Sequence, residues 1–82
     1  MEVKLSPKVK KYVEKLNQPI KKRIKNALLK LEQEPPQGDI KTMSDKEHFK
    51  LRVGDYRILF DIAGQIIFVH EIGLRGQIYK KR

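Results

Sequence analysis

The first 34 residues change from an alternating to a helical pattern of apolar positions. Apolar and polar residues alternate over residues 2–5, which predicts a short strand. Ser6-Pro7 combines an N-cap with proline at the first helical position and predicts a helix that ends at Asn17. Gln18-Pro19 begins a second helix, which must stop before Pro35-Pro36. We expect the two helices to form an antiparallel hairpin.

The rest of the chain predicts strands joined by tight turns. Residues 35–45 are rich in Pro, Gly, Asp and Ser and are typical of a connecting loop. Two alternating runs follow, on either side of Gly54-Asp55, a two-residue hairpin loop. After a second turn at Gly64-Gln65, residues 66–72 are apolar almost throughout, which is typical of a central strand covered on both sides. Residues 77–82 are either an edge strand or an ordered tail.

This order of elements predicts the fold class. Strands on both sides of a helical hairpin, in the order β-α-α-β-β-β, indicate an α+β fold. We expect a mostly antiparallel four-stranded sheet with both helices packed on one face, which leaves the other face for function. A chain of 82 residues has room for one modest core, so residues 1–82 are expected to form a single domain.

The hairpin around Gly54-Asp55 is predicted to gather cations. A two-residue loop pairs Val53 with Tyr56 and places Arg52 directly opposite Arg57, with Lys50 on the same face. Like charges in opposed positions destabilise a sheet by up to roughly 1 kcal/mol. We expect no carboxylate on this stretch to relieve them, so the pattern indicates an anion site suited to a phosphodiester. A solvated basic face, or an edge strand protected by charge, gives the same pattern.

The second hairpin predicts a further set of cross-strand pairs. With Gly64-Gln65 as its loop, Leu59 pairs with His70 and Arg57 pairs with Ile72. This register brings residues 73–76 close to Arg57.

Composition favours a polyanionic partner. The chain has 19 Lys and Arg against 10 Asp and Glu, a net charge of +9, which favours attraction to RNA. It has no cysteine, and only His48 and His70 could offer imidazole ligands, so we expect no metal site. No apolar run is long enough to span a bilayer and no signal peptide begins the chain, so a cytoplasmic protein is expected.

Two motifs resemble a known family. The hairpin Lys50-Leu-Arg-Val-Gly-Asp-Tyr-Arg57 and the ending Ile72-Gly-Leu-Arg-Gly-Gln-Ile-Tyr79, in this order of elements, resemble the RelE branch of the RelE/ParE toxin superfamily. The resemblance spans the whole chain. It implies a toxin of a type II toxin–antitoxin module, an endoribonuclease that cleaves mRNA, with an acidic antitoxin as its partner and the ribosome as the place of cleavage. No cofactor is implied.

The resemblance also implies roles for particular residues. Lys50 matches a lysine proposed as the base on the ribose 2′-OH, and Arg57 matches an arginine that holds the scissile phosphate. Arg75 matches a cation that stabilises the developing charge and assists the 5′-oxygen leaving group, and Tyr79 matches a tyrosine that stacks on or orients the nucleotide. The implied reaction is metal-independent transesterification, which leaves a 2′,3′-cyclic phosphate and a 5′-OH. Like charges beside Lys50 disfavour its protonated form, which suits a base.

Further residues are predicted to contact RNA, and some depart from the family pattern. The predicted RNA-binding residues are His48, Arg52, Lys80 and Lys81. His48 stands where some relatives have lysine, and it is either an auxiliary base or a solvent-facing strand residue. Leu74 and Gly76 make the loop around Arg75 less cationic than in relatives. Tyr79 is as compatible with the core as with base stacking, and His70 is expected to pack rather than to bind a ligand.

Two other functions remain open. A ParE-like toxin shares the fold but binds and inhibits DNA gyrase, and it needs no cationic active site. An RNA-binding module without catalysis would show steep salt dependence and no cleaved product.

Overall fold

The computed structural model describes residues 1–43 and 48–78. The elements are β1 (Glu2–Leu5), α1 (Pro7–Glu14), α2 (Ile20–Leu31), β2 (Asp39–Thr42), β3 (Phe49–Val53), β4 (Tyr56–Ala63), β5 (Ile66–Leu74) and α3 (Arg75–Ile78). The strands form one sheet in the order β1-β5-β4-β3-β2. Strand β1 is parallel to β5, and the other neighbours are antiparallel. The predicted α+β class is therefore confirmed, with five strands instead of four.

The additional strand is β2, which lies within the segment predicted to be a loop. It pairs with β3 and forms one edge of the sheet. Of its residues only Ile40 is half-buried, and it pairs with buried Leu51, whereas Asp39, Lys41 and Thr42 are exposed. A four-residue strand with one apolar side chain has almost no periodicity to detect, so the composition of the segment indicated a loop.

The two long helices begin where their capping signals predict. The Ser6 hydroxyl accepts a hydrogen bond from the Val9 N–H at 3.3 Å, and Pro7 is the first residue of α1. Helix α1 ends at Glu14, three residues before the predicted end at Asn17. Helix α2 begins at Ile20, directly after Pro19.

The core lies between the helices and one face of the sheet. Its helical residues are Val9, Val13, Ile24, Leu28 and Leu31, and its strand residues are Leu51, Ile58, Phe60, Ile67, Val69 and Ile72. The helical residues recur at the three- and four-residue spacing of an amphipathic helix.

The first hairpin has the predicted register throughout, and the second has it only near its turn. Val53 pairs with Tyr56, so Arg52 lies opposite Arg57 as predicted. The turn at Gly64-Gln65 is also confirmed, because Ala63 pairs with Ile66. A bulge next to Leu59 and Phe60 then shifts the register, since β5 has one extra residue there. The predicted pairs Leu59–His70 and Arg57–Ile72 are wrong: Leu59 pairs with Glu71, and Arg57 pairs with Gly73.

The last described residues change from strand to helix. Strand β5 continues past Gly73 to Leu74, and the helical turn α3 follows at once. No helix in residues 1–43 and 48–78 combines the length and the apolar character needed to cross a bilayer.

Candidate functional site

Strand alternation places the predicted cations on one face of the sheet. The side chains of Leu51 and Ile58 are buried in the core, with relative exposures of 1% and 0%. Successive residues of a strand point to opposite faces, so the neighbouring residues of β3 and β4 point away from the helices. This side of the sheet, which carries Lys41, Lys50, Arg52 and Arg57, is termed the basic face. It is the face predicted to bind an anion.

Two rows of directly paired residues cross the basic face. One row contains Asp39, Arg52, Arg57 and Gly73, and the next contains Lys41, Lys50, Leu59 and Glu71. Strand β2, which was not predicted, places Asp39 beside Arg52 from outside the hairpin. Strand β2 also places Lys41 beside Lys50, so the cationic surface is wider than the hairpin alone.

The two opposed arginines have different environments. Arg52 is exposed, whereas Arg57 is only 7% exposed and is the buried charged residue of the described core. The Nη1 atom of Arg57 donates hydrogen bonds to the carbonyl oxygens of Gly54 at 2.8 Å and Tyr56 at 2.9 Å. Because both acceptors are neutral backbone groups, these contacts orient the guanidinium without cancelling its charge.

The same turn anchors Arg75. Its backbone N–H donates to the carbonyl oxygen of Asp55 at 2.8 Å, so three successive carbonyls of the hairpin turn hold Arg57 and Arg75. Close packing continues at Gly73, the cross-strand partner of Arg57, where a Cβ atom would lie 3.5 Å from the Ile78 Cβ. The side chain of Arg75 is exposed. Lys50 and Arg57 therefore lie on one face of the sheet, and α3 begins next to the hairpin turn that holds Arg57.

A second cluster lies on the same face, at the other end of β3. Asp61 contacts both histidines: one carboxylate oxygen bonds His48 Nδ1, and the other lies 2.6 Å from His70 Nε2. The two rings meet edge to face, with centroids 6.2 Å apart. Burial raises the pKa of Asp61, but the hydrogen bonds and charges of His48 and His70 outweigh it and hold this pKa below its usual range.

This cluster corrects the expectation for His70. The prediction of a packed histidine is wrong, since the side chain is 48% exposed and bonded to Asp61. Extending the hairpin register from Val53 and Tyr56 places His48 opposite Asp61, so half of the cluster could have been found in the sequence. The contact of Asp61 with His70 joins β4 to β5, at the point where the bulge makes His70 the extra residue.

Three of the predicted site residues, Tyr79, Lys80 and Lys81, lie outside the described residues. Their roles remain predictions.

Comparison with known proteins identifies both a family and a fold. The chain matches the family model for the ParE toxin of the type II toxin–antitoxin system parDE over residues 3–79. A comparison with curated proteins finds no match.

Three solved structures have the same fold. The RelB–RelE antitoxin–toxin complex from Methanococcus jannaschii has 24% identity and a TM-score of 0.74, covering 93% of this chain and 94% of that one. The archaeal RelE–RelB complex from Pyrococcus horikoshii OT3 has 23% identity and a TM-score of 0.76, covering 93% and 96%. The isolated E. coli RelE toxin has 17% identity and a TM-score of 0.73, covering 98% and 92%.

The two kinds of comparison agree with the architecture described above. Similarity to the RelE structures supports the arrangement of sheet and helices, and the family model covers nearly the whole chain. The chain therefore belongs to the RelE/ParE superfamily, as a toxin of a type II toxin–antitoxin system.

Proposed function

We propose that this toxin is a metal-independent endoribonuclease that cleaves mRNA on the ribosome. The observation that carries the proposal is the environment of Arg57. Arg57 is only 7% exposed on the basic face, its hydrogen bonds go to neutral carbonyls, and within residues 1–43 and 48–78 no carboxylate forms an ion pair with it. A fixed cation whose charge is not cancelled is suited to a phosphate whose negative charge grows during the reaction.

The neighbouring residues supply the other roles in transesterification. Lys50 takes the proton from the ribose 2′-OH, and the 2′-oxygen attacks the adjacent phosphorus. Arg57 stabilises the charge of the pentacoordinate phosphorane. The bond from phosphorus to the 5′-oxygen breaks, Arg75 stabilises that oxygen as it takes up a proton from water, and the products are a 2′,3′-cyclic phosphate and a 5′-OH. Tyr79 stacks on the nucleotide.

Binding of the RNA backbone uses the cations around this centre. Arg52 lies across from Arg57, and Lys41 extends the basic face onto β2. We assign backbone contacts to His48, Arg52, Lys80 and Lys81. Each phosphate contact releases counterions, so the affinity for RNA should fall steeply as salt is added.

The inhibitor proposed for this toxin is an acidic antitoxin. Two of the similar structures are complexes of RelE with RelB. With a net charge of +9, this chain is expected to bind a partner of opposite charge. Segments of the antitoxin are proposed to wrap around the sheet and the helices and so to block access to the basic face.

Cleavage of mRNA on programmed ribosomes tests the proposal. Wild-type protein should produce cuts that primer extension can map, and Arg57→Ala should reduce the rate by roughly 100-fold or more, as expected when a charge-stabilising group is lost. Lys25→Ala is the matched control, because Lys25 is an exposed cation on α2, and it should cleave like wild type. Intact mRNA after incubation with wild type, or cleavage by Arg57→Ala at the wild-type rate, would contradict the proposal.

A gyrase inhibitor is the second candidate, because the matching family model describes ParE toxins. Purified protein should then inhibit DNA supercoiling by gyrase and leave RNA uncut, and inhibition should persist in Arg57→Ala. Salt-sensitive RNA binding with neither activity would indicate an RNA-binding module instead.

A further inference from the structure

We propose that His48, Asp61 and His70 form a binding site for a divalent transition metal ion, with Zn²⁺ as the best match. Imidazole nitrogens suit Zn²⁺, Cu²⁺ and Ni²⁺, and two histidines with one carboxylate are a recurrent three-ligand set for such ions. The site shares His48 with the RNA contacts proposed above, whereas the proposed cleavage chemistry needs no metal.

The three ligands come from three adjacent strands. His48 directly precedes β3, Asp61 is in β4 and His70 is in β5. One ligand atom from each residue lies within 4.8 Å of the other two. In a tetrahedral zinc site, with bonds of 2.0–2.1 Å, neighbouring ligand atoms are roughly 3.3 Å apart. Small side-chain rotations are therefore enough to surround an ion.

The surroundings allow an ion to enter. The side chains of His48, Asp61 and His70 are 45%, 29% and 48% exposed, so the site faces solvent on one side. On the other side it is bordered by Met43, Leu59 and Phe60. Three protein ligands with solvent access leave the fourth position for water or another ligand.

A nearby acid provides the matched control. Glu71 follows His70 in β5, but its carboxylate lies 2.6 Å from Lys8 Nζ, in an ion pair with α1. Replacing Glu71 by Gln removes a carboxylate from the same strand without removing a proposed ligand. A site made by the three named residues should tolerate this change, whereas a diffuse attraction of cations to local acids should not.

Calorimetric titration with Zn²⁺ tests the site directly. The full 82-residue chain should carry no histidine tag and should first be stripped with a chelator. Wild type should bind one Zn²⁺. His70→Gln and Asp61→Asn should each weaken Zn²⁺ binding by at least roughly 100-fold. That factor is the largest expected from loss of a group that only orients a metal ligand. Glu71→Gln should bind like wild type. Circular dichroism confirms that each variant is folded.

A second measurement needs no variant. The chain contains two histidines, so NMR spectra of the imidazole rings contain signals from His48 and His70 alone. One equivalent of Zn²⁺ should shift the signals of both rings together. Absence of saturable binding, binding that His70→Gln leaves unchanged, or a shift of neither ring would overturn the proposal.

Discussion

Replacing Arg57 by Met should lower the free energy of unfolding by about 1–3 kcal/mol, whereas the same change at Arg52 should alter it by less than about 0.5 kcal/mol. The two residues are identical in type and lie directly opposite each other in β3 and β4. Methionine keeps an unbranched apolar side chain and removes the charge. The comparison therefore isolates the effect of the environment of each guanidinium.

The magnitude for Arg57 follows from its contacts. A hydrogen bond to a charged group contributes about 1.5–3 kcal/mol, and Arg57 Nη1 makes one to Gly54 at 2.8 Å. Its bond to Tyr56, the preceding residue, adds less because the two groups are already close in the unfolded chain. Relief of the repulsion by Arg52 offsets up to about 1 kcal/mol. The net effect is a loss of stability.

For Arg52 the opposing effects nearly cancel. Replacing Arg52 relieves its repulsion with Arg57 in β4. The same change loses its attraction to Asp39 in β2. The side chain is exposed, so water weakens both interactions. Lys25→Met, a change of an exposed lysine on α2, serves as the control and should also have an effect below about 0.5 kcal/mol.

Urea denaturation followed by circular dichroism measures all of these differences. If the two arginines repel each other, the double variant should be destabilised by about 0.2–1 kcal/mol more than the sum of the single variants, because the repulsion is relieved only once. This excess should shrink in about 1 M salt, where the screening length is about 3 Å. Equal losses at Arg52 and Arg57, or a coupling of opposite sign, would refute the reasoning.

Three further predictions concern the rest of the fold. Gly38→Ala should destabilise the protein by about 1–3 kcal/mol in urea denaturation, because φ is 136° and a Cβ would lie 2.8 Å from Leu51 Cδ1; Gly76→Ala, with nothing within 4 Å, should not. Phe60→Ala, at a fully buried position, should cost about 3–5 kcal/mol in the same assay. Burial raises the pKa of Tyr12, so its contribution to stability is complete below about pH 10 and is lost as pH rises through the folded-state pKa. Unfolding midpoints should therefore fall more steeply in wild type than in Tyr12→Phe above that pH.

The first hairpin was predictable because local geometry determines it. Gly54 adopts a φ of 58°, as a two-residue turn requires, and such a turn leaves one possible register for its strands. The opposition of Arg52 and Arg57 follows from that register. The central feature of the candidate site therefore depends on residues that are close in sequence.

Features that depend on distant contacts were not predictable in the same way. Strand β2 has one half-buried residue, Ile40, and pairs through backbone hydrogen bonds that any sequence can make. The bulge in β5 inserts one residue without a glycine or proline to indicate it. His70 is that extra residue, so every pair predicted beyond Phe60 was one residue out of register.

The alternating pattern of the hairpin does not distinguish the environments of Arg52 and Arg57, and the structure separates them. Arg57 is held by the turn before any ligand arrives, so binding a phosphate requires little further loss of side-chain freedom. Arg52 is exposed and must be ordered on binding. A cation that is already oriented can stabilise charge as it develops during the reaction, whereas a mobile one contributes mainly to attraction. Arg57 is therefore expected to govern the rate of the chemical step, and Arg52 the salt-dependent affinity for RNA.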